Sequence, residues 1–306
     1  AQATILQTEQ ELQAVRMALA GEVIDRYLEV LQARDAMLLL QAEKTSIQSQ
    51  LKRLQAMRER QLATVTALYE VEAYYQTLQT KEIEARNAEA VAFERLHETT
   101  GVAAKSVASL SRDSFPPVPR TEQDWLADAS RNNPGLEALR HAIAAADKVL
   151  ESSRAQHYPQ LSLAVSRTHS DSGFDNRTQS PYMVNTAGVQ LNIPLYEGGR
   201  VDATVRDARA QRSIAEQRYE QSRRAIERET RTAYLNAIAS IARIQSTNQE
   251  VLAQEKATEA QEKSFERGVT TIVDVLNAHQ RLLKARSDQF KARYDYIRDL
   301  TSLRIQ

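Results

Sequence analysis

The chain has 306 residues, 40 basic and 40 acidic side chains, no net charge, eight glycines, seven prolines and no cysteine. Balanced, interleaved charge gives no basic footprint for nucleic acid, and the missing cysteines exclude disulfides and thiolate metal sites while suiting many compartments, an oxidising one included. Strands need turns, and so few glycines and prolines leave long helices to dominate a chain whose length suggests one to three units.

No run of eighteen apolar residues is present, which excludes a transmembrane helix but not a strand-built membrane span. The opening residues, "AQATILQTEQELQAV", already read as mid-helix, without signal peptide or N-cap. On that reading the chain is expected to be a trimmed or processed fragment.

Residues 1–100 form the first copy of an internal repeat. Displaced by 207 positions, they meet the end of the chain in register without a gap. Glu9-Gln10 falls on Glu216-Gln217, Arg16 on Arg223 and Tyr27-Leu28 on Tyr234-Leu235. Further along, Val65 falls on Ile272, Leu68 on Val275 and Ala85-Arg86 on Ala292-Arg293. Each copy reads as a helical hairpin.

Residues 101–157 come next. The prolines of "RDSFPPVPRTEQDW" force an extended linker. A short helix is expected from about Glu122 to Asn132, stopped by "NNPG", and another from about Leu136 to Gln156. In residues 158–196, "YPQLSLAVSRT" alternates, with Leu161, Leu163 and Val165 on one face and Ser162, Ala164 and Ser166 on the other. "HSDSGFDNRTQSPY" reads as a loop, its Asn176-Arg177-Thr178 sequon included. "GVQLNIPL" then alternates with Val189, Leu191 and Ile193 on one face. Two such strands form one hairpin of a barrel, which must find partner strands because a lone hairpin is marginal.

Pro194 cannot donate to a ladder, so it belongs where the sheet stops. Gly198 and Gly199 give the chain the torsional freedom to turn from strand to helix. Taken alone, the same residues would suit any strand-to-helix loop.

Residues 197–306 are the second copy. Helix pattern runs from about Val201 to Arg267, breaks at "RGVTT" and resumes from Ile272 to the end. The first arm, at ~1.5 Å per residue, would be a rod of ~100 Å. Tyr234, Ile238, Ile241, Ile244 and Val251 form a narrow coiled-coil-like stripe. Alanine fills many positions between them and would let helices approach closely. On these helices alone, a plain intracellular coiled coil is the better reading.

The strand ending "LNIPLYEGG", the long helix after it and "RGVTTIVDVLNAHQRLLKAR" at its far tip resemble the TolC family of outer-membrane ducts, the efflux and type I secretion channels of Gram-negative bacteria. The likeness extends over the whole chain, including "NNPGLEAL" and "YPQLSL", and is strongest over residues 158–304. It implies a mainly α homotrimer located in the outer membrane and projecting into the periplasm. Each protomer would contribute four strands to a twelve-stranded barrel in outer-membrane lipid, and long antiparallel helices to a tunnel with an equatorial belt. It also implies a short helix and a first strand hairpin ahead of residue 1. The partners would be a periplasmic adaptor and an inner-membrane pump or ABC transporter.

No catalytic constellation is visible. His97, His141, His157, His169 and His279 are scattered, none at metal-ligand spacing, and no cofactor is called for. The resemblance puts function at the tip, where the helix turns would close the tunnel and meet the adaptor. There Gly268 permits the turn and Thr270-Thr271 can cap the next helix. Asp274 matches the position whose carboxylates ring the closed pore. Asn277 stands where some relatives carry a second acid, so the ring would be single. The alternative for Asp274 is an ordinary helix-start carboxylate favoured by the dipole.

In the first copy's tip, "RERQLATVTALYEVE", Gln61 stands for Gly268 and Ala67 for Asp274. Thr66 is a candidate latch, and Arg60, Phe265, Arg267 and Val269 are candidate partners or adaptor contacts. Two other classes stay open. One is a structural coiled coil without a membrane hairpin. The other is a periplasmic adaptor, although no glycine-rich lipoyl-like domain is visible.

Overall fold

The computed structural model describes residues 2–61, 63–109, 117–170 and 182–305. Eight elements follow in order: α1 (Gln2–Glu59), α2 (Val65–Thr100), α3 (Glu122–Asn132), α4 (Pro134–Ala155), β1 (Gln160–Ser170), β2 (Tyr182–Asn192), α5 (Arg200–Glu266) and α6 (Ile272–Ile305). The fold is mainly α with one short hairpin. The start of the proline linker and the sequon lie outside the described residues.

Two compact units can be separated. One gathers Pro134–Arg223 with α1 up to Glu11; the other holds Leu12–Asn133 and the chain from Arg224 on. In the first, α4 opens on Pro134, two residues before the expected start, because a proline lacks only an N–H that a first-turn residue has no use for. β1 and β2 pair antiparallel, with Leu161 opposite Leu191, Leu163 opposite Val189 and Val165 opposite Ala187. Ser162, Ala164 and Ser166 meet Gln190, Gly188 and Thr186 on the other face. Every β2 residue is exposed, and so are Leu161, Leu163 and Val165 of β1, at 71–75%.

The strands are longer than their alternation suggests. The two ends of the segment read as a loop belong to the ladder, with His169 opposite Met183 and Ser170 opposite Tyr182. Residues 171–181 lie outside the described residues. Backbone pairing carries the hairpin past the point where side-chain alternation stops. β2 ends at Asn192, so Ile193 falls just beyond the sheet, ahead of Pro194. Gly198 (φ 60°) and Gly199 (φ 82°) are both left-handed at the corner into α5, and a Cβ at either would meet nothing. Torsion, not space, selects glycine here.

In the second unit, the seam that α5 buries includes Ile244 and Val251 of the expected stripe, with Tyr234 and Ile241 half-buried beside it. Thr230, Ala237, Ile244, Val251 and Thr258 are buried at steps of seven, interleaved with Ala233, Ser240 and Thr247. Ile238 is exposed instead. Where the buried seam departs from the expected stripe, it takes the small side chains Ala233, Ala237 and Ser240. Facing it, α6 buries Ala278, Ala285 and Ala292 at steps of seven, with Val275, Leu282, Tyr296 and Leu303 beside them. This is a heptad seam with alanine as one of its layers.

Polar bonds lace the pair. Thr258 Oγ1 donates to the Ala278 carbonyl (3.3 Å), Arg286 pairs with Glu255 (2.8 Å) and Gln289 donates to Asn248 (2.7 Å). The first copy repeats the pattern at the 207-residue offset. Leu68, Val71, Leu78 and Leu96 are buried where α6 buries Val275, Ala278, Ala285 and Leu303.

A seam this close should reject volume. Ala285→Leu is expected to cost about 1–3 kcal/mol through overpacking, read by thermal or denaturant unfolding. Ile238→Ala, on the exposed stripe, should cost an isolated chain far less.

Candidate functional site

The two helix turns at the end of the second unit are built alike. α1 ends at Glu59 and α5 at Glu266; α2 begins at Val65 and α6 at Ile272, each pair 207 apart. Gln61 (φ 61°) and Gly268 (φ 74°) both sit in the left-handed region. Each donates its N–H three residues back, Gln61 to Arg58 (2.8 Å) and Gly268 to Phe265 (2.9 Å). Past the turn, Leu68 N–H donates to the Thr64 carbonyl (3.4 Å) and Val275 N–H to that of Thr271 (3.5 Å).

The caps differ in one respect. Thr64 Oγ1 accepts from Ala67 N–H (3.2 Å), and Thr271 Oγ1 accepts from Asp274 N–H (3.3 Å). In the second tip Asp274 answers: its Oδ2 takes the Thr271 N–H (3.0 Å) and hydroxyl (2.7 Å). That closes a reciprocal capping box, with Asp in the place of the usual Glu. Of the two threonines expected to cap, Thr271 does so, while Thr270 Oγ1 is buried with no partner among the described residues.

The Thr271 side chain, then its backbone N–H, hold the Asp274 carboxyl below its ordinary value of 3.8. A lowered pKa makes this cap fully present above that ordinary value, and it is lost as the pH falls through the lowered one. Asp274 itself is exposed, and Oδ1 keeps no protein partner among the described residues. The helix-start role is therefore real, and it leaves one oxygen of the carboxylate free.

Around the tips, Val269 is 75% exposed, and Val65 and Tyr69 are exposed as well. Asn277 is exposed one turn beyond Asp274. Phe265 is half-buried against a core of Leu54, Leu68, Val71, Val275 and Leu276. Arg60, Thr66 and Arg267 are exposed, and among the described residues none is bonded to another part of the chain. The bonds that join the hairpins use other residues. Gln50 donates to Glu262 (3.3 Å) and Arg53 pairs with Glu266 (3.1 Å). His279 lies between Glu43 (3.0 Å) and Glu262 (2.9 Å). The sequence offered a signal for His279, because it falls in the buried register with Ile272, Val275 and Leu282; nothing named its partners in the other helices.

Among the described residues no cluster could hold a metal ion, and no helix is long and apolar enough to cross a membrane. Residues 125–305 match the family model described as outer membrane efflux protein. The chain belongs to that family. It is a family of outer-membrane efflux proteins, and not of enzymes.

Alkaline protease secretion protein AprF of Pseudomonas aeruginosa is 30% identical over 99% of this chain and 64% of its own length. Outer membrane protein TolC of Vibrio cholerae is 29% identical over 97% of this chain and 69% of its own. This chain thus spans about two thirds of the efflux-family relatives it matches. VceC, the outer membrane protein of Vibrio cholerae whose crystal structure is solved, superposes with a TM-score of 0.80 at 19% identity, over 99% of this chain and 73% of that one. The same efflux-family fold is present in both.

The repeated turn gives a direct test. Gln61 adopts a conformation that favours glycine by about 1 kcal/mol or more in the folded state, partly offset by the freer unfolded chain. Gln61→Gly should therefore stabilise the first hairpin by about 0.5 kcal/mol, and Gly268→Ala should destabilise the second by about 1 kcal/mol. Denaturant midpoints of the two variants check both signs.

Proposed function

We propose that this chain is the larger part of a homotrimeric outer-membrane channel, the passive exit duct of a tripartite efflux pump or type I secretion system, gated at its periplasmic tip. In this reading residues 1–100 and 197–306 are the two tunnel hairpins, 101–157 the linker and equatorial helices, and 158–196 the outer-membrane hairpin. A periplasmic adaptor meets the tips, and an inner-membrane pump or ABC transporter drives export.

The observation that carries the reading is the surface left over. Ile5, Leu12, Val15 and Leu19 on α1 and Leu235, Ile238 and Leu252 on α5 remain exposed at coiled-coil spacings. The hairpin has one apolar and one small-polar face and buries neither. Helix stripes of this kind fit neighbouring helices from other copies, and a two-faced hairpin fits a barrel wall between lipid and a wet lumen. AprF's name, a protease secretion protein, favours protein export, whereas the family model's description favours efflux. The exit duct is common to both.

At the gate, Asp274 from three copies would converge on the axis with Oδ1 free to face it. Three carboxylates there repel one another, raise one another's proton affinity and attract cations. With Asn277 one turn on, the ring is single.

Mass measurement and cross-linking of the full-length protein in detergent should give a trimer; species no larger than a dimer would overturn the reading. Asp274→Asn keeps an oxygen for the Thr271 cap while removing the charge. In planar bilayers it should lower cation selectivity and weaken block by trivalent cations. Asp274→Arg should invert the preference. Equal selectivity and block in wild type and Asp274→Asn would leave Asp274 as a helix cap only.

A further inference from the structure

His279 is the buried titratable group that the tip's other bonds do not account for. Its side chain is 5% exposed, and both ring nitrogens face carboxylate oxygens: Nδ1 to Glu43 Oε1 at 3.0 Å and Nε2 to Glu262 Oε1 at 2.9 Å. A neutral imidazole has a single N–H, so one of these contacts would set a lone pair against an anion. The imidazolium donates to both. Glu43 is as buried as the ring, at 6%, and among the described residues has no other hydrogen-bond partner. Its desolvated charge is compensated only while His279 carries its second proton.

The three side chains come from α1, α5 and α6, and no pair of them belongs to one helix. His279 stands two turns into α6 from the tip, and Glu262 four residues before α5 ends. Glu262 also accepts from Gln50 of α1. The Glu43 and Gln50 bonds therefore pin the tip of the second hairpin to α1 of the first, and the His279–Glu262 bond ties the two arms of the second together. From α2 the group that faces it is Tyr74, whose hydroxyl is buried without a hydrogen-bond partner; burial, then the Glu43 charge, hold it protonated. On α6 the nearest charged residues, Arg281 and Lys284, are exposed.

We propose that His279 is a proton-dependent staple that ties the tip of the α5–α6 hairpin to α1 and sets how readily that tip moves away. It positions the turn that carries Asp274 and does not itself line the pore. As a control on gating, the staple rests on the tip being the gate; as a property of the helices, it does not.

The direction in pH follows from the balance on the ring. Burial by itself lowers the proton affinity of His279, and the hydrogen bonds and charges of Glu43 and then Glu262 more than offset it, leaving it above the ordinary 6.5. A raised value means the stabilisation is complete below 6.5 and is lost as the pH climbs through the raised value. The staple holds below 6.5 and opens as the pH climbs past the raised value.

The test is hydrogen exchange of the full-length trimer between pH 6 and 9, corrected for intrinsic exchange, followed in segments covering 40–50 and 272–285. In wild type the opening equilibrium should rise with pH by about tenfold for each unit by which the folded value exceeds the open one. Glu43→Gln and Glu262→Gln should each move the midpoint down, and His279→Gln should abolish the transition. Glu262 is two-fifths exposed, so its variant folds even where the buried ones do not. A transition still present in His279→Gln, or a midpoint that neither glutamate variant moves, overturns the staple. Bilayer opening recorded over the same range should follow the same midpoint. Exchange that follows it while conductance ignores pH would keep the staple and overturn the gating reading instead.

Discussion

The close approach of α5 and α6 along an alanine-containing heptad seam is the constraint on which the rest of the second unit depends. Ala278 lies beside Thr258 and Ala292 beside Ile244, so the alanines of α6 make room for branched side chains of α5, and the buried hydroxyls of Ser240, Thr247 and Thr258 must find acceptors nearby. Thr258 reaches the Ala278 carbonyl, and Thr247 bonds back to its own helix. Since little apolar area is buried per residue, long helices hold by repetition, each heptad adding a small increment. Trp125 of α3 and Leu303 of α6 close one end of the seam around Ala233.

The two hairpins show how a duplicated backbone can diverge in chemistry. Helix ends, the left-handed turn residue and the threonine cap coincide at one offset, although Gln61 is strained where Gly268 is not. What differs is charge. Ala67 stands where Asp274 completes a capping box, and exposed Glu72 stands where the second hairpin buries His279. In the proposed trimer, a ring built from one hairpin of each copy would carry three carboxylates and not six, which would limit the repulsion at a closed gate.

Balanced composition has its counterpart in the bonds between helices. Arg53 with Glu266, Arg298 with Asp25 and Arg286 with Glu255 are largely solvated and each contributes little. The Lys44–Glu82 pair and the His279 group are different, because Glu82, Glu43 and His279 are buried. A buried ion pair is weak as a source of stability, but it is strict about register, since any slip strands a desolvated charge. Those two groups sit at the α1–α2 and α1–α5–α6 contacts.

Much of this was legible in the residues. Proline at 194, glycine at 198, 199 and 268 and threonine at 271 act through their own backbone or the next turn, so the corner and the second tip turn follow from local chemistry. The repeat is likewise a property of the string, and it located the first tip from the second. Three things were decided only by tertiary structure. The buried edge of α5 is chosen by how near α6 can come, which is why Ala233 and Ser240 are inside and Ile238 is not. The strand ends at Ser170 and Tyr182 are set by backbone pairing that needs no alternation. The partners of His279 lie 236 and 17 residues away on two other helices, and only packing those helices together shows that one imidazole must satisfy two carboxylates.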